Sequence, residues 1–393
     1  MVGGKGRALL AWLVTLALLL TGCWDKREIE SLFIVTAVGL DTGKEEGEME
    51  VTFQIGRSKS STSGKKESSG DESSAILLKS ENKTVLEAME EQNRNSSRTL
   101  LLQHNQIILL GDELAGQGVE ERLDLFLRNQ QARMEVLLMV ADGEAGEVLS
   151  AELDQETTPG IYLSHMMQDI RRISPHYNVR LLDFVSRLRD GTSAPVAPIV
   201  KVEKEEGKDK DKLTVEGLAI FQSDKMVGRL DNDEAMGYLW ALGAVRRGTV
   251  TAQDDQGLAV LNILKLDVKR RTTLRPDGGV KATLEVDATL RAGEIQGFKQ
   301  TPLEELLSTL TILAQAQIEK QILDTGEIAR GLGTDIYGFG RSFHAEHPKE
   351  WKALEERWNA LFADLELDVQ VKVQIPELGQ IIKTLGMEEE DHP

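Results

Sequence analysis

The chain has a single cysteine, Cys23, and so cannot form an internal disulfide. Any core beyond that residue must be held by burial alone. The sequence contains no G-x-S-x-G, H-E-x-x-H, P-loop or complete G-x-G-x-x-G motif, which excludes the commonest patterns of nucleophilic, zinc and nucleotide sites. Basic residues are also scarce, since 46 Lys and Arg stand against 65 Asp and Glu. The resulting net charge of −19 repels phosphate backbones and argues against nucleic-acid binding.

The N-terminus has the three parts of an exported signal peptide. Two basic residues precede the apolar run 8–20, and small residues precede Cys23. That run is too short for the ~20 apolar residues that span a bilayer. The tetrapeptide Leu20-Thr21-Gly22-Cys23 resembles a bacterial lipobox, in which the cysteine thiol accepts a diacylglyceryl group before the peptidase cuts. We therefore expect residues 1–22 to be removed and acyl chains on Cys23 to hold the protein on a membrane.

Hydrophobic patterning beyond Cys23 predicts an α/β protein of about three domains, with helices packed on mixed or antiparallel sheets. Strand and helix patterns alternate through residues 23–195, the expected N-terminal domain. Within it, the Ser-rich stretch 58–74 is expected to be a mobile loop. Ala194-Pro195 and the charged run 203–212 indicate a domain boundary.

The rest of the chain is expected to form two further domains. A small middle domain at 213–255 has a hairpin pattern followed by a helix that an Asp-Asn-Asp run can cap. The C-terminal domain, at 256–385, has a long helix with Thr301 as N-cap and Pro302 at the first helical position. Its last strand alternates apolar and polar residues, and the acidic tail 386–393 follows.

Candidates for chemistry are few. His344 and His347 are three residues apart and could share a helical face, but Pro348 follows at once and no cysteine is left to complete a common zinc site. We expect both histidines to be exposed. His104 lies between two apolar runs, where a polar residue is typical of a turn. The sequence therefore predicts no catalytic residue, no metal ligand and no cofactor beyond the lipid on Cys23.

Three residues are possible partner contacts. Arg128 follows a predicted helix, where a cation also interacts favourably with the helix dipole. Tyr337 and Phe339 stand in a Tyr-Gly-Phe-Gly run, and the rings could anchor a partner or form core aromatics at a helix-terminating turn. Core packing is the favoured interpretation, as it is for Trp351 and Trp358, which are seven residues apart on one face.

Several segments together resemble one family, the Ger(x)C spore germination lipoproteins. The similarity begins in 23–30 and 34–41, with CWDKREIE and IVTAVGLD, and continues through HNQIILLG at 104–111. It resumes in 216–230 and at 335–340, where the chain has DIYGFG. Each block is short, but their order behind the lipobox is typical of the family.

The resemblance implies a non-enzymatic, lipid-anchored C subunit of a nutrient germinant receptor. It implies a location on the outer face of the spore inner membrane and a function in germination signalling together with integral-membrane A and B subunits. The alternative is a solute-binding lipoprotein of a membrane transporter, which would have two similar lobes around a cleft. A lipid-anchored hydrolase is disfavoured because no nucleophile constellation is present.

Overall fold

The computed structural model describes residues 12, 31–56, 75–153, 158–173, 177–204, 207, 210–299 and 301–376. The predicted signal peptide, the lipobox at Leu20–Cys23, the loop 58–74 and the tail 386–393 lie outside these residues. The described part confirms the predicted mixed α/β class, since its strands form two sheets with helices packed on them.

The first sheet has nine strands among the described residues, in the order β3-β2-β1-β5-β6-β7-β8-β9, with β4 beside β1. β1, β5, β6 and β7 run parallel, and the other long pairings are antiparallel. The strands are β1 (Leu32–Thr42), β2 (Met49–Gly56), β3 (Ala75–Asn82), β4 (Thr99–Leu101), β5 (Ile107–Leu110), β6 (Leu137–Ala141), β7 (Val196–Lys204), β8 (Asp211–Gln222) and β9 (Lys225–Leu230).

Helices cover both faces of this sheet, which explains why β5 and β6 are continuously apolar. Ile108 and Leu110 enter one hydrophobic cluster, whereas Ile107 and Leu109 enter another on the opposite face. The helices of this part are α1 (Val85–Asn95), α2 (Asp112–Gln117), α3 (Glu120–Arg128), α4 (Ala145–Ser150), α5 (Pro159–Ile173) and α6 (Leu181–Asp190).

The second sheet is smaller, with the order β10-β11-β12-β13. β13 pairs parallel with β12, and the other two pairings are antiparallel. The long helix α8 packs its buried stripe, Leu306, Leu310, Ala314, Ile318 and Ile322, into the core of this part. The elements are α7 (Asn232–Ala241), β10 (Thr249–Gln253), β11 (Gly257–Leu274), β12 (Val280–Gly297), α8 (Leu303–Gly331), α9 (Phe339–Glu346), α10 (Pro348–Leu354), α11 (Trp358–Ala363) and β13 (Glu366–Gln374).

One sequence-based detail differs from the structure. Pro302 is the N-cap of α8 rather than its first helical residue, since its ψ of 147° is not helical, so the assignment of the cap to Thr301 is wrong by one position. The stretch predicted as a domain boundary holds the hairpin β7–β8, in which Val196–Val200 is buried and Lys204 pairs with Asp211.

Strand pairing therefore runs across the expected boundary near 195–213, and the hairpin β8–β9 belongs to the first sheet. The helix α7 that follows packs against α8, where the Thr325 hydroxyl donates to the Glu234 carbonyl at 2.6 Å. The part of the chain expected to be a middle domain thus contributes to both sheets. The division into three domains stays a prediction.

Candidate functional site

The connection between α6 and β7 meets the turn between α8 and α9. The backbone N–H of Ala194 donates to the Asp335 carbonyl at 2.8 Å. Thr192, Ser193 and Asp335 are all buried at this contact. The first sheet and the α8–α9 region are thus joined by backbone hydrogen bonding as well as by apolar packing.

The Asp335 carboxylate accepts four hydrogen bonds in this turn. Its Oδ1 accepts the N–H groups of Gly338 at 2.8 Å and Phe339 at 3.1 Å, and its Oδ2 accepts that of Gly340 at 2.7 Å. The Trp358 indole Nε1 donates to Oδ2 at 3.1 Å. Gly338 has a φ of +72°, the left-handed conformation that glycine adopts without strain, and this turns the first amides of α9 toward the carboxylate.

These contacts have opposing effects on the ionisation of Asp335. Burial raises the pKa of Asp335, because removal from water disfavours the charged carboxylate. The donated hydrogen bonds, led by that of Gly340, act in the opposite direction. The Asp335 carboxylate is therefore shielded from water, and the hydrogen bonds that it accepts hold the turn before α9 in place.

Arg187 of α6 lies beside the same turn. Its Nη1 donates to the Ala194 carbonyl at 3.3 Å and to the Tyr238 hydroxyl at 3.1 Å. The neighbouring Tyr238 raises the pKa of Arg187, so the guanidinium stays charged although it is partly buried. A second guanidinium, that of Arg270 on β11, donates through Nη1 to the Tyr337 carbonyl at 2.9 Å.

Tyr337 and Phe339 belong to the hydrophobic core. They are 1% and 0% exposed, their ring centroids are 5.4 Å apart, and the Tyr337 hydroxyl donates to the Ile322 carbonyl at 3.0 Å. The structure therefore corrects the assignment of these two rings as possible partner contacts, because neither reaches the surface. Core packing also holds for Trp351 and Trp358, whose ring centroids are 5.1 Å apart.

Arg187 lines two cavities. The smaller, of about 80 Å³, is lined by the 191–195 connection and by residues of the 334–335 turn and α11. The buried hydroxyls of Thr192 and Ser193 have no protein partner there, so the space suits ordered water. The larger cavity, of about 360 Å³, is lined by α6, the 178–179 segment, Val196, Tyr238 and Arg341.

The other candidates from the sequence lie apart from this junction. Arg128 is exposed at the end of α3 and pairs with Asp124 at 2.7 Å, which suits its helix-terminal position. His104 and His344 are exposed, and the His344 ring stacks on Trp351 with a centroid distance of 5.4 Å. The His347 ring is partly buried and packs on Phe343. Among the described residues, no group of three His, Cys, Asp or Glu is arranged to hold a metal ion.

Sequence reasoning missed Arg187 and the four-donor arrangement at Asp335. An Asp three residues before a Gly-x-Gly run is a local signal for a carboxylate that accepts backbone amides at a helix start. No local signal identifies Arg187, since its partners are at positions 194 and 238.

Within the part of the chain that the structure covers, every helix is either too short or too polar to cross a bilayer. The two sheets also differ in strand number and order, so they are not the pair of similar lobes that the solute-binding alternative requires.

Comparison with known proteins matches both parts of the chain. The family described as spore germination protein, N-terminal domain, matches residues 25–202, and the family described as spore germination B3/GerAC like, C-terminal, matches residues 216–379. In Bacillus subtilis (strain 168), spore germination protein YndF is 24% identical over 398 residues, covering 93% of this chain and 95% of YndF. Spore germination protein B3 of the same organism is 25% identical over 388 residues, covering 93% of this chain and 96% of the relative.

A solved structure has the same fold. The crystal structure of the GerBC protein superposes with a TM-score of 0.56 and 20% sequence identity, and the match covers 90% of this chain and 100% of that chain. The match therefore extends over both sheets and the junction between them.

Proposed function

The chain belongs to the GerAC family of spore germination proteins, and from this premise we propose that it is the lipid-anchored, non-enzymatic C subunit of a nutrient germinant receptor. The proposal rests on how much of the chain the two family matches cover, namely residues 25–202 and 216–379. Both family domains occur in order, and relatives named as spore germination proteins align over more than nine-tenths of the chain.

The lipobox supports attachment to a membrane. Acyl chains on Cys23 would hold the folded part on a membrane, since each buried methylene contributes about 0.8 kcal/mol. The resemblance to the family places it on the outer face of the spore inner membrane. The net charge of −19 opposes docking on anionic lipid, so the lipid supplies the attachment. The covalent lipid is then the only non-protein group that the proposal requires.

The structural interactions of Asp335 support a non-enzymatic function, because this buried carboxylate is engaged by the turn itself. The buried carboxylate is surrounded by backbone donors and an indole, which is an arrangement that fixes a turn. We propose that the protein transmits the germination signal through contacts with integral-membrane A and B subunits.

Affinity purification from detergent-solubilised spore membranes tests this function. The bait is the full chain with a C-terminal tag, and the control is the tagged Cys23→Ala variant, checked for equal abundance. Co-purification of two integral-membrane subunits encoded with the bait is the expected result. Recovery of transporter components would favour the solute-binding alternative and contradict the proposal.

A further inference from the structure

The larger cavity beside Arg187 has the size of a small-molecule site. Its volume of about 360 Å³ lies within the usual range of ligand pockets, roughly 300–1,000 Å³. Its wall is mixed: Val179, Phe184 and Val196 are the apolar residues, and the polar ones are Asn178, Asp183, Ser186, Arg187, Tyr238 and Arg341. A wall of this kind suits a small ligand that has a charged group.

Arg187 has donors left for a ligand. Its two protein acceptors, the Ala194 carbonyl and the Tyr238 hydroxyl, both use Nη1. The Nε–H and the two Nη2–H donors have no acceptor among the described residues. A guanidinium with its Nε and Nη2 donors available matches the two oxygens of a carboxylate in a planar, bidentate arrangement.

The charges on the cavity wall favour an anion. Arg341 supplies a second guanidinium to the wall, and its side chain is exposed. Its Nε lies 3.9 Å from Oδ2 of Asp190, near the outer limit for an ion pair. Asp183 is the acidic residue of the lining, and Arg180 already neutralises it through bonds of 2.8 and 3.2 Å. The wall is thus positive within a chain whose net charge is −19.

From this arrangement we infer that the cavity binds a small aliphatic carboxylate, with its anionic group on Arg187 and its short tail beside Val179 and Val196, the apolar lining residues that keep some exposed surface. The site draws on both parts of the fold, because Arg187 and Phe184 lie on α6 whereas Tyr238 and Arg341 lie on α7 and α9. An occupied site stabilises their junction. The inference does not rest on the proposed function, since binding is a property of the purified protein.

Isothermal titration calorimetry tests the inference. The full chain, purified in detergent, is titrated with butyrate. The control ligand is n-butylamine, which has an alkyl tail of similar length but carries a positive charge. We expect saturable binding of butyrate and none of butylamine. Arg187→Lys keeps the positive charge but not the planar pair of donors, and should weaken butyrate binding at least tenfold. Arg189→Gln, on the exposed end of the same helix, should bind butyrate as the wild type does.

Three results would overturn the inference: no saturable heat with butyrate, equal binding of butylamine, or an unchanged affinity in the Arg187→Lys protein. Circular dichroism establishes whether that variant is folded. If that variant is not folded, the Arg341→Gln variant is used instead. Replacing this exposed arginine removes positive charge from the cavity wall without disturbing the core. A loss of threefold or more in butyrate affinity supports the site, and an unchanged affinity contradicts it.

Discussion

The backbone N–H of Ala194 donates a 2.8 Å hydrogen bond to the carbonyl of Asp335. The two residues lie in the parts of the chain that match two separate family domains. Because the carboxylate of Asp335 also holds the start of α9, one residue links the first sheet to the aromatic core of the second part. The stability of this junction can be tested at single positions.

Asp335→Ala should strongly destabilise the protein. The substitution leaves three backbone amides and the Trp358 indole without their acceptor, and each orphaned buried donor costs about 1–3 kcal/mol. We expect the free energy of unfolding in urea to fall by at least about 3 kcal/mol. Asp364→Ala, at an exposed position after α11, is the matched control and should change stability by less than about 0.5 kcal/mol. Equal effects of the two variants would contradict the assignment.

The same carboxyl should make the stability of the protein depend on pH. Burial raises the folded-state pKa of Asp335 above its ordinary 3.8, so the folded protein holds this proton more tightly than the unfolded chain does. Its contribution to stability is full below the unfolded pKa and is lost as pH rises through the folded pKa. We therefore expect the stability difference between wild type and Asp335→Asn to shift against the wild type as pH rises from 4 to 7. A shift in the opposite direction would show that the four donors outweigh burial.

Gly237→Ala should disrupt the contact between α7 and α8. A Cβ at this position would lie 2.0 Å from the Gln321 carbonyl oxygen and 2.2 Å from the Thr325 hydroxyl, so the helices must separate. We expect a loss of about 2–3 kcal/mol in thermal or urea unfolding. Gly331→Ala, with no atom within 4 Å of the added methyl, is the control and should be neutral or slightly stabilising. Similar stabilities for both variants would exclude close helix packing at Gly237.

Cys23→Ala should abolish lipidation, because the chain has no other thiol. Mass spectrometry of the protein extracted from membranes is the measurement. For the wild type we expect a mass that begins at Cys23 and includes acyl chains. Detection of a wild-type chain that retains residues 1–22 and has no acyl mass would contradict the lipoprotein assignment.

Replacing His104, His344 and His347 together by Gln should leave nutrient-triggered germination largely intact. His104 and His344 are exposed, and the structure places none of the three in a metal-binding group among the described residues. Germination of spores that carry the triple variant, with protein abundance checked by immunoblot, is the measurement. If spores with a normal amount of the triple variant fail to germinate, the non-catalytic interpretation is contradicted and a hydrolase or a metal site becomes the favoured hypothesis.

Truncation before Thr301 is the positive control for that experiment. It removes α8 and β13, which cover and extend the second sheet, and should abolish germination because the remaining strands lose most of their core. Normal germination of the truncated variant would show that the C-terminal part is not required.

Local patterns in the sequence were sufficient to identify most elements of the fold. Alternation from Leu367 to Val373 predicted β13, and the Asp-Asn-Asp run predicted the start of α7, where Asp231 and Glu234 form a reciprocal capping box. Such signals are reliable because they depend on residues only two to four positions apart. The lipobox at Leu20–Cys23 is also a local signal, behind the apolar run 8–20, and lipidation of Cys23 stays a prediction.

Only the tertiary structure determined what these elements do together. The apolar segment at 196–200 joined the first sheet because β6 and β8 provided strands to pair with. Tyr337 and Phe339 entered the core, and Arg187 met Ala194 and Tyr238, through contacts that a one-dimensional pattern does not specify. The free energy of burying a ring or satisfying a guanidinium depends on residues brought together from distant positions, and the packing of the two sheets sets which residues those are.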